Sequence, residues 1–263
     1  MFRHCVAGTD FSAGWDQVQS QLARMIPLLG IERLTLVYAD EPHHRSHKDA
    51  NGCANRRIHL EQLAGDMVQA LAIPADSVFV SGFAAAALQE VATRREADLL
   101  LVANGSHSRG QEFLMGNVAL SLARQSRLPL LIIPLDLGPV DDEAPLLLVT
   151  DHSPASASAR GCFAGLLGAG RRGRVMIVRN PDHQVTFEEL KAEEGWAEDN
   201  AQLDVGVVIG DPVDEICEAA SELKTPLIVL GKHRIPSGGE QSLGATLEGI
   251  CRQAVNPLLL LPS

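Results

Sequence analysis

Two stretches of this chain recur at a fixed displacement, and the residues that recur are those that fix a chain path. Gly82 to Pro134 returns as Gly210 to Pro262, 128 positions on. Matches fall at Gly82/Gly210, Leu99/Leu227, Gly116/Gly244, Arg124/Arg252, Gln125/Gln253, Pro129/Pro257 and Pro134/Pro262. Thr9-Asp10-Phe11-Ser12 returns as Thr150-Asp151-His152-Ser153 at a displacement of 141. Glycine and proline start, stop and bend elements, so their recurrence implies a shared fold as well as a shared composition. The chain therefore reads as two copies of one small domain, residues 1–136 and 145–263, joined by a linker over 137–144. A repeat of about 130 residues is too long for a solenoid unit, so each copy should bury its own core. The fall in displacement from 141 to 128 places a loss of thirteen residues between the second and third strands of the second copy.

Within the first copy, His4 to Gly8 reads as a buried strand. Trp15, Val18, Leu22, Met25/Ile26 and Leu29 follow at three- and four-residue steps, the apolar stripe of a helix that Gly30 ends. Strands are expected at Leu34 to Ala39, Ser77 to Ser81, Leu99 to Ala103 and Leu130 to Pro134. Between the first two of these lies a polar stretch from Glu41 to about Arg57, and a helix is expected from there to Leu71. Further helices are expected at Ala84 to Arg95 and Asn117 to Gln125. The second copy repeats the order, with strands at Leu146–Val149, Val175–Val178, Val205–Ile209, Leu227–Leu230 and Leu258–Leu261. Apolar strands alternating with helices imply an α/β fold: in each copy a five-stranded parallel-type sheet of Rossmann type, with helices on both faces. In such sheets ligands sit beyond the carboxyl ends of the strands, where strand order reverses.

Several function classes are excluded by composition. A net charge of −11 opposes binding to nucleic acid or to an anionic membrane. No apolar run reaches the roughly 18 residues that a membrane span needs. The five cysteines, Cys5, Cys53, Cys162, Cys217 and Cys251, form no CxxC and occupy non-equivalent positions, so free thiols in a reducing cytoplasm are expected.

The doubled Thr-Asp-x-Ser, the Gly210-Asp211-Pro212 after the third strand of the second copy, Gly244 and the Pro257-Leu-Leu-Leu-Leu ending together resemble the universal stress protein family. The arrangement is that of a tandem member, and the resemblance covers essentially the whole chain. It implies two adenine-nucleotide-hydrolase-like domains and a regulatory, stress-response role without metabolic turnover, its nucleotide-binding loops degenerate; the alternative is an ATP-binding protein, hydrolysing slowly if at all, that uses the second copy. It also implies pairing of the two copies through their last strands, with homodimerisation of the chain as a separate contact. Nucleotide-binding members of the family carry Gly, two residues, Gly, nine residues, Gly, then Ser or Thr after the fourth strand. Glycines there admit main-chain N–H groups to phosphate oxygens, and the last one opens a helix whose amino end favours anions.

The first copy places Ala103, Ser106, Gly116 and Asn117 at those positions; the second places Gly231, Arg234, Gly244 and Ala245 there. The spacing is kept while the residues have diverged. In the second copy the hydroxyl arrives one position late, on Thr246. Arg234 would clamp a phosphate, fill its space or lie in solvent. Asp10 and Asp151 match the acid that lies near the adenosine in the family, with Thr150 before it. Both acids also suit a turn that starts the next helix. The candidate binding residues are thus Thr150, Asp151, Gly231, Arg234, Gly244 and Thr246, with Asp10 and Gly116 in the first copy. A zinc alternative rests on His43, His44, His47, Cys53 and His59, whose spacing fits no standard pattern, so no metal is expected. Ser237 to Ser242 is similar to the Ser-Gly-Gly-x-Asp-Ser loop of ATP pyrophosphatases, but it stands after the wrong strand and is expected to be a flexible loop. No Ser–His–carboxylate set recurs in both copies, so no catalytic residue is expected.

Overall fold

A computed structural model describes residues 1–12, 14–41, 50–104, 116–151, 154–168, 170–179, 202–232, 235–237 and 240–263. The first half runs β1 (His4–Gly8), α1 (Trp15–Leu29), β2 (Arg33–Asp40), α2 (Ala50–Leu71), β3 (Ala75–Ser81), α3 (Ala84–Arg94), β4 (Leu99–Asn104), α4 (Gly116–Gln125) and β5 (Leu130–Pro134). The second half runs β6 (Leu146–Thr150), α5 (Pro154–Leu167), β7 (Gly173–Arg179), β8 (Leu203–Ile209), α6 (Pro212–Leu223), β9 (Ile228–Lys232), β10 (Ile235–Ser237), β11 (Glu240–Ser242), α7 (Ala245–Gln253) and β12 (Leu258–Pro262). Strand order within the halves is β3-β2-β1-β4-β5 and β12-β9-β6-β7-β8, parallel throughout. The α/β class and the parallel five-stranded halves expected from the sequence are what the chain adopts.

The halves merge into one ten-stranded sheet, because β5 and β12 pair antiparallel through Leu130 to Ile132 and Leu258 to Leu260. Strand residues alternate between two cores. Cys5, Ala7, Leu99, Leu101, Leu146 and Leu148 face α1, α2 and α5, while Val6, Leu100, Val102, Leu130 and Leu258 face α3, α4, α6 and α7. Full burial of each such leucine is worth roughly 1.5–3 kcal/mol, which is why these strands are apolar along their whole length. The antiparallel seam turns the carboxyl ends of the first-half strands toward one rim of the sheet and those of the second half toward the opposite rim.

Equivalent residues lock the seam. Asn104, at the end of β4, donates to the Cys251 carbonyl in the last turn of α7 at 2.7 Å. Its counterpart Lys232, at the end of β9 and 2% exposed, donates to the Ser126 carbonyl just past α4 at 2.7 Å. Each half therefore caps the carboxyl end of the other half's last helix, where cations and donors are favoured. Arg124 and Arg252, another equivalent pair, both grip Glu248, at 2.7 and 2.8 Å. Their hydrogen bonds hold its carboxyl below the ordinary range, Arg124 first and Arg252 second, against a smaller opposing effect of burial.

Linker residues are tied down on both sides. Arg24 of α1 pairs with Asp142 at 2.7 Å, and Arg171 and Arg172 donate to the carbonyls of Asp142 and Glu143 at 3.0 and 3.1 Å. Two departures from the sequence expectation concern elements. Helix α2 begins at Ala50, inside the stretch expected to be irregular to about Arg57, because its polar first turns face a buried carboxylate, described below. Of the run Ser237 to Ser242, expected to be a flexible loop, Ser237 ends β10 and Glu240 to Ser242 form β11, and the two strands pair antiparallel. A two-residue Gly-Gly connection is a strong hairpin signal, and it was available in the sequence.

Candidate functional site

In each half, strand order reverses between the first and fourth strands, β1 and β4 in the first, β6 and β9 in the second. In the first half, Thr9 follows β1 directly and is buried. Its Oγ1 accepts from the Phe11 N–H at 3.2 Å, and the Asp10 carboxylate accepts from the Ser12 N–H at 2.9 Å. Asp10 thus forms the turn expected of it, and it is exposed. Gly116 is the first residue of α4.

Phe11 was not anticipated as a site residue. Its φ of 59° puts a bulky side chain in the left-handed region, which costs an L-residue roughly 1–2 kcal/mol. Three other described non-glycine residues share that conformation, and each follows the end of a helix: Ala72, Glu96 and Lys224. Phe11 alone of the four follows a strand. Its ring lies on Tyr38, with centroids 4.6 Å apart and planes 10° apart. Tyr38 stacks on its cross-strand neighbour Phe79 at 5.3 Å, the edge of His59 meets Phe11 at 4.7 Å, and Arg57 covers Phe79 at 5.0 Å. Five side chains from β2, β3, α2 and the turn after β1 form a continuous column over the ends of β1 to β3. Offset stacking of this kind contributes about 0.5–1.5 kcal/mol per pair, enough to offset the backbone strain.

Beside the column, Asp40 ends β2 at 2% exposure. Arg56 meets its carboxylate at 3.3 Å, and Cys53 Sγ donates to it at 3.6 Å. A buried carboxylate requires such partners, which explains why α2 starts early enough to deliver both. Burial pushes the Tyr38 phenol up; the charge of Arg56 opposes this, and Asp40 and Asp10 add to it. Glu41 accepts from the Ala84 N–H at 2.9 Å and so caps α3. In the second half that task falls to Asp211, which accepts from the N–H groups of Val213 and Asp214 at 2.9 and 3.2 Å.

Cys53 and His59 thus serve separate local contacts. Among the described residues no group of three or more metal-ligating side chains comes together, and His43, His44 and His47 lie outside the described residues. All five cysteines are free thiols, and burial pushes Cys162 and Cys217 up to about 11 and Cys251 to about 12.

In the second half, Thr150 ends β6 at 3% exposure and Asp151 follows it, exposed. Gly231 lies on the neighbouring strand β9, in register with Leu261 of β12. The register that sets Val149 against Leu230 carries Thr150 alongside Gly231. Gly244 is the N-cap of α7, with φ −57° and ψ 143°, and makes no side-chain cap. A Cβ on Gly244 would meet no atom of the described residues within 4 Å. Ala245 and Thr246, in the first turn, are exposed. This amino end thus carries no side chain at its N-cap, and the one acid of its first turn, Glu248, is already neutralised by two arginines. Arg234 lies outside the described residues, as do residues 105–115 of the first half's corresponding loop. The candidate residues consequently fall into two groups: Asp10 and Gly116 at one rim, Thr150, Asp151, Gly231, Gly244 and Thr246 at the other.

The universal stress protein family model matches residues 1–134 and 173–262. The chain belongs to the universal stress protein family. The second matched segment starts at β7 and so leaves out Thr150 and Asp151. Solved structures similar to this universal stress protein include one from Archaeoglobus fulgidus DSM 4304, at 17% identity and TM-score 0.78, covering 98% of each chain. A universal stress protein from Pseudomonas aeruginosa UCBPP-PA14 is similar at 14% identity and TM-score 0.63, covering 99% of this chain and 93% of that one. A functionally unknown protein from Pseudomonas aeruginosa PAO1 follows at 14% identity and TM-score 0.60, covering 99% and 92%. At these identities the likeness concerns the fold. No curated protein matches the chain. Among the described residues no helix is long and apolar enough to cross a membrane.

Proposed function

We propose that this universal stress protein acts by binding rather than by turnover, and that its ligand is an adenine nucleotide held by the second half. The observation that carries this is the amino end of α7 at the switch point of the second half, where the N-cap is a glycine with no side chain to offer. The first-turn N–H groups of a helix have no intrahelical partner, and with the helix dipole behind them they suit phosphate. In this reading Gly231 offers close backbone approach, Thr246 a hydroxyl and Arg234 a charge, while Thr150 and Asp151 would face the ribose and base. ATP is the ligand the family resemblance indicates. The hairpin β10–β11 stands where nucleotide-binding members carry a plain glycine loop, so the affinity expected is modest.

Titration calorimetry with ATP on the whole chain tests this, with Gly244→Asp as the diagnostic variant. An aspartate at an N-cap stabilises a helix by a few tenths of a kcal/mol relative to glycine, yet its carboxylate takes the N–H groups a phosphate needs. The expected outcome is a folded variant of equal or higher melting temperature that binds ATP roughly tenfold or more weakly. Equal ATP affinity would remove α7 from the site. Phosphate release from ATP, followed over hours, checks the absence of turnover. A homodimer of the whole chain, which the resemblance also implies, would use a contact other than β5–β12, since that pairing is made within one chain.

A further inference from the structure

Helices α1 and α5, one from each half, cover the same face of the continuous sheet. Between them is a cleft of about 560 Å³, a size at which proteins hold small molecules. Pro27 and Leu28 of α1 and Leu166 and Leu167 at the end of α5 give it apolar walls. Arg24 of α1, Asp142 of the linker and Arg171 beyond α5 supply its charge.

These charges are anchored but not exhausted. Arg24 meets one carboxylate oxygen of Asp142, at 2.7 Å, and among the described residues the second oxygen has no partner. Arg171 donates through one nitrogen to the Asp142 carbonyl at 3.0 Å, which leaves the rest of its guanidinium fork without a partner among the described residues. A third polar group comes from the backbone. Pro27 stands inside α1, where it has no N–H to give the Ala23 carbonyl one turn back. Ala23 also lines the cleft. The cleft thus offers donors on one cation, acceptors on Asp142 and Ala23, and apolar walls.

That combination selects a ligand class. A simple anion would meet the two acceptors, a simple cation the two arginines, and a hydrocarbon would pair with neither set. We propose that the cleft between α1 and α5 binds a free α-amino acid with an apolar side chain. Its carboxylate lies on Arg171, its ammonium on the Ala23 carbonyl and Asp142, and its side chain among the four apolar residues. The walls come from both halves, so the ligand adds a contact between them and stabilises the folded chain. The cleft is separate from the strand-end crevices, and the proposal stands or falls independently of nucleotide.

Calorimetry of the whole chain with leucine and phenylalanine tests this. Isocaproate lacks the ammonium of leucine, isopentylamine its carboxylate, and glycine its side chain. Leucine is expected at one site per chain, with each of the three truncated probes roughly tenfold or more weaker, as loss of a hydrogen bond to a charged group implies. Pro27→Ala returns an N–H to the Ala23 carbonyl, so the variant should melt higher than wild type yet bind leucine roughly tenfold more weakly. Arg171→Gln should weaken leucine by a similar factor. No binding of either amino acid at millimolar concentration overturns the proposal. Equal affinity for leucine and isocaproate, or unchanged leucine affinity in either variant, also overturns it. Should Arg171→Gln fail to fold, Pro27→Ala decides, because that substitution strengthens the helix.

Discussion

His4 sits at the start of β1 with Nε2 2.9 Å from the Thr35 hydroxyl and Nδ1 3.1 Å from the Arg95 carbonyl. Thr35 in turn donates to Asp76 at 2.5 Å, and Arg33 reaches the same carboxylate at 2.6 Å. Burial lowers the pKa of His4 below 6.5, helped by Arg33 and opposed by the Arg95 carbonyl, Asp76 and Asp98. For Asp76, burial acts upward, but hydrogen bonds from Thr35 and Arg33 and the charge of Arg95 outweigh it and hold the carboxyl below 3.8. Both folded values lie under the unfolded ones, so in each case the unfolded chain takes up the proton first and stability falls with pH. The His4 contribution is complete above 6.5 and lost below it; that of Asp76 is complete above 3.8 and lost below that. Melting temperature should therefore decline in two stages on acidification, and His4→Gln should abolish the first stage alone. A profile that keeps the first stage in that variant assigns it elsewhere. Thr35→Val breaks a hydrogen bond to a charged group and should cost about 1.5–3 kcal/mol in urea unfolding. None of this was legible in the sequence, because His4, Thr35 and Asp76 are brought together only by the registers of β1, β2 and β3.

Elements were far more readable than sites. The stripe from Trp15 to Leu29 and the closing Gly30, with its φ of 72°, gave α1 correctly because both signals are local. The bounds of β1 and β5 were likewise set by apolar runs between breakers. Failure came where a distant partner decides. The polar turns of α2 look irregular until the buried Asp40 is known, and Phe11 looks like an ordinary turn residue until Tyr38 is placed beneath it. The paired helices α3 and α6 show the same division. Asp211 before Pro212 announces a cap in the sequence, whereas Glu41 caps α3 from 43 residues away. Asp211→Ala should cost about 1 kcal/mol. Glu41→Ala should cost less, about 0.5 kcal/mol, because the helix–carboxylate attraction is partly met by water. Equal losses in paired denaturation curves would contradict this order.

Across the whole molecule, the duplication read from glycines and prolines predicted two similar halves, and the continuous sheet shows what doubling made available. A lone copy of the first half would leave β5 as an open apolar edge. Expressed as residues 1–136, it should self-associate, as sedimentation would reveal; a monomer at tens of micromolar would show that the edge is protected in some other way. Lys232 is the seam residue that the repeat concealed, since its counterpart is the uncharged Asn104. Lys232→Ala removes a buried stem and strands the Ser126 carbonyl, at an expected cost of about 3 kcal/mol or more. Lys232→Met retains the stem and should lose about half of that, with the difference read from unfolding midpoints.

The head-to-tail meeting of β5 and β12 has one more result. Strands of at least five residues separate the two rims by about 17 Å or more. Whatever meets the carboxyl ends of the strands in one half therefore leaves those of the other half, at the opposite rim, untouched.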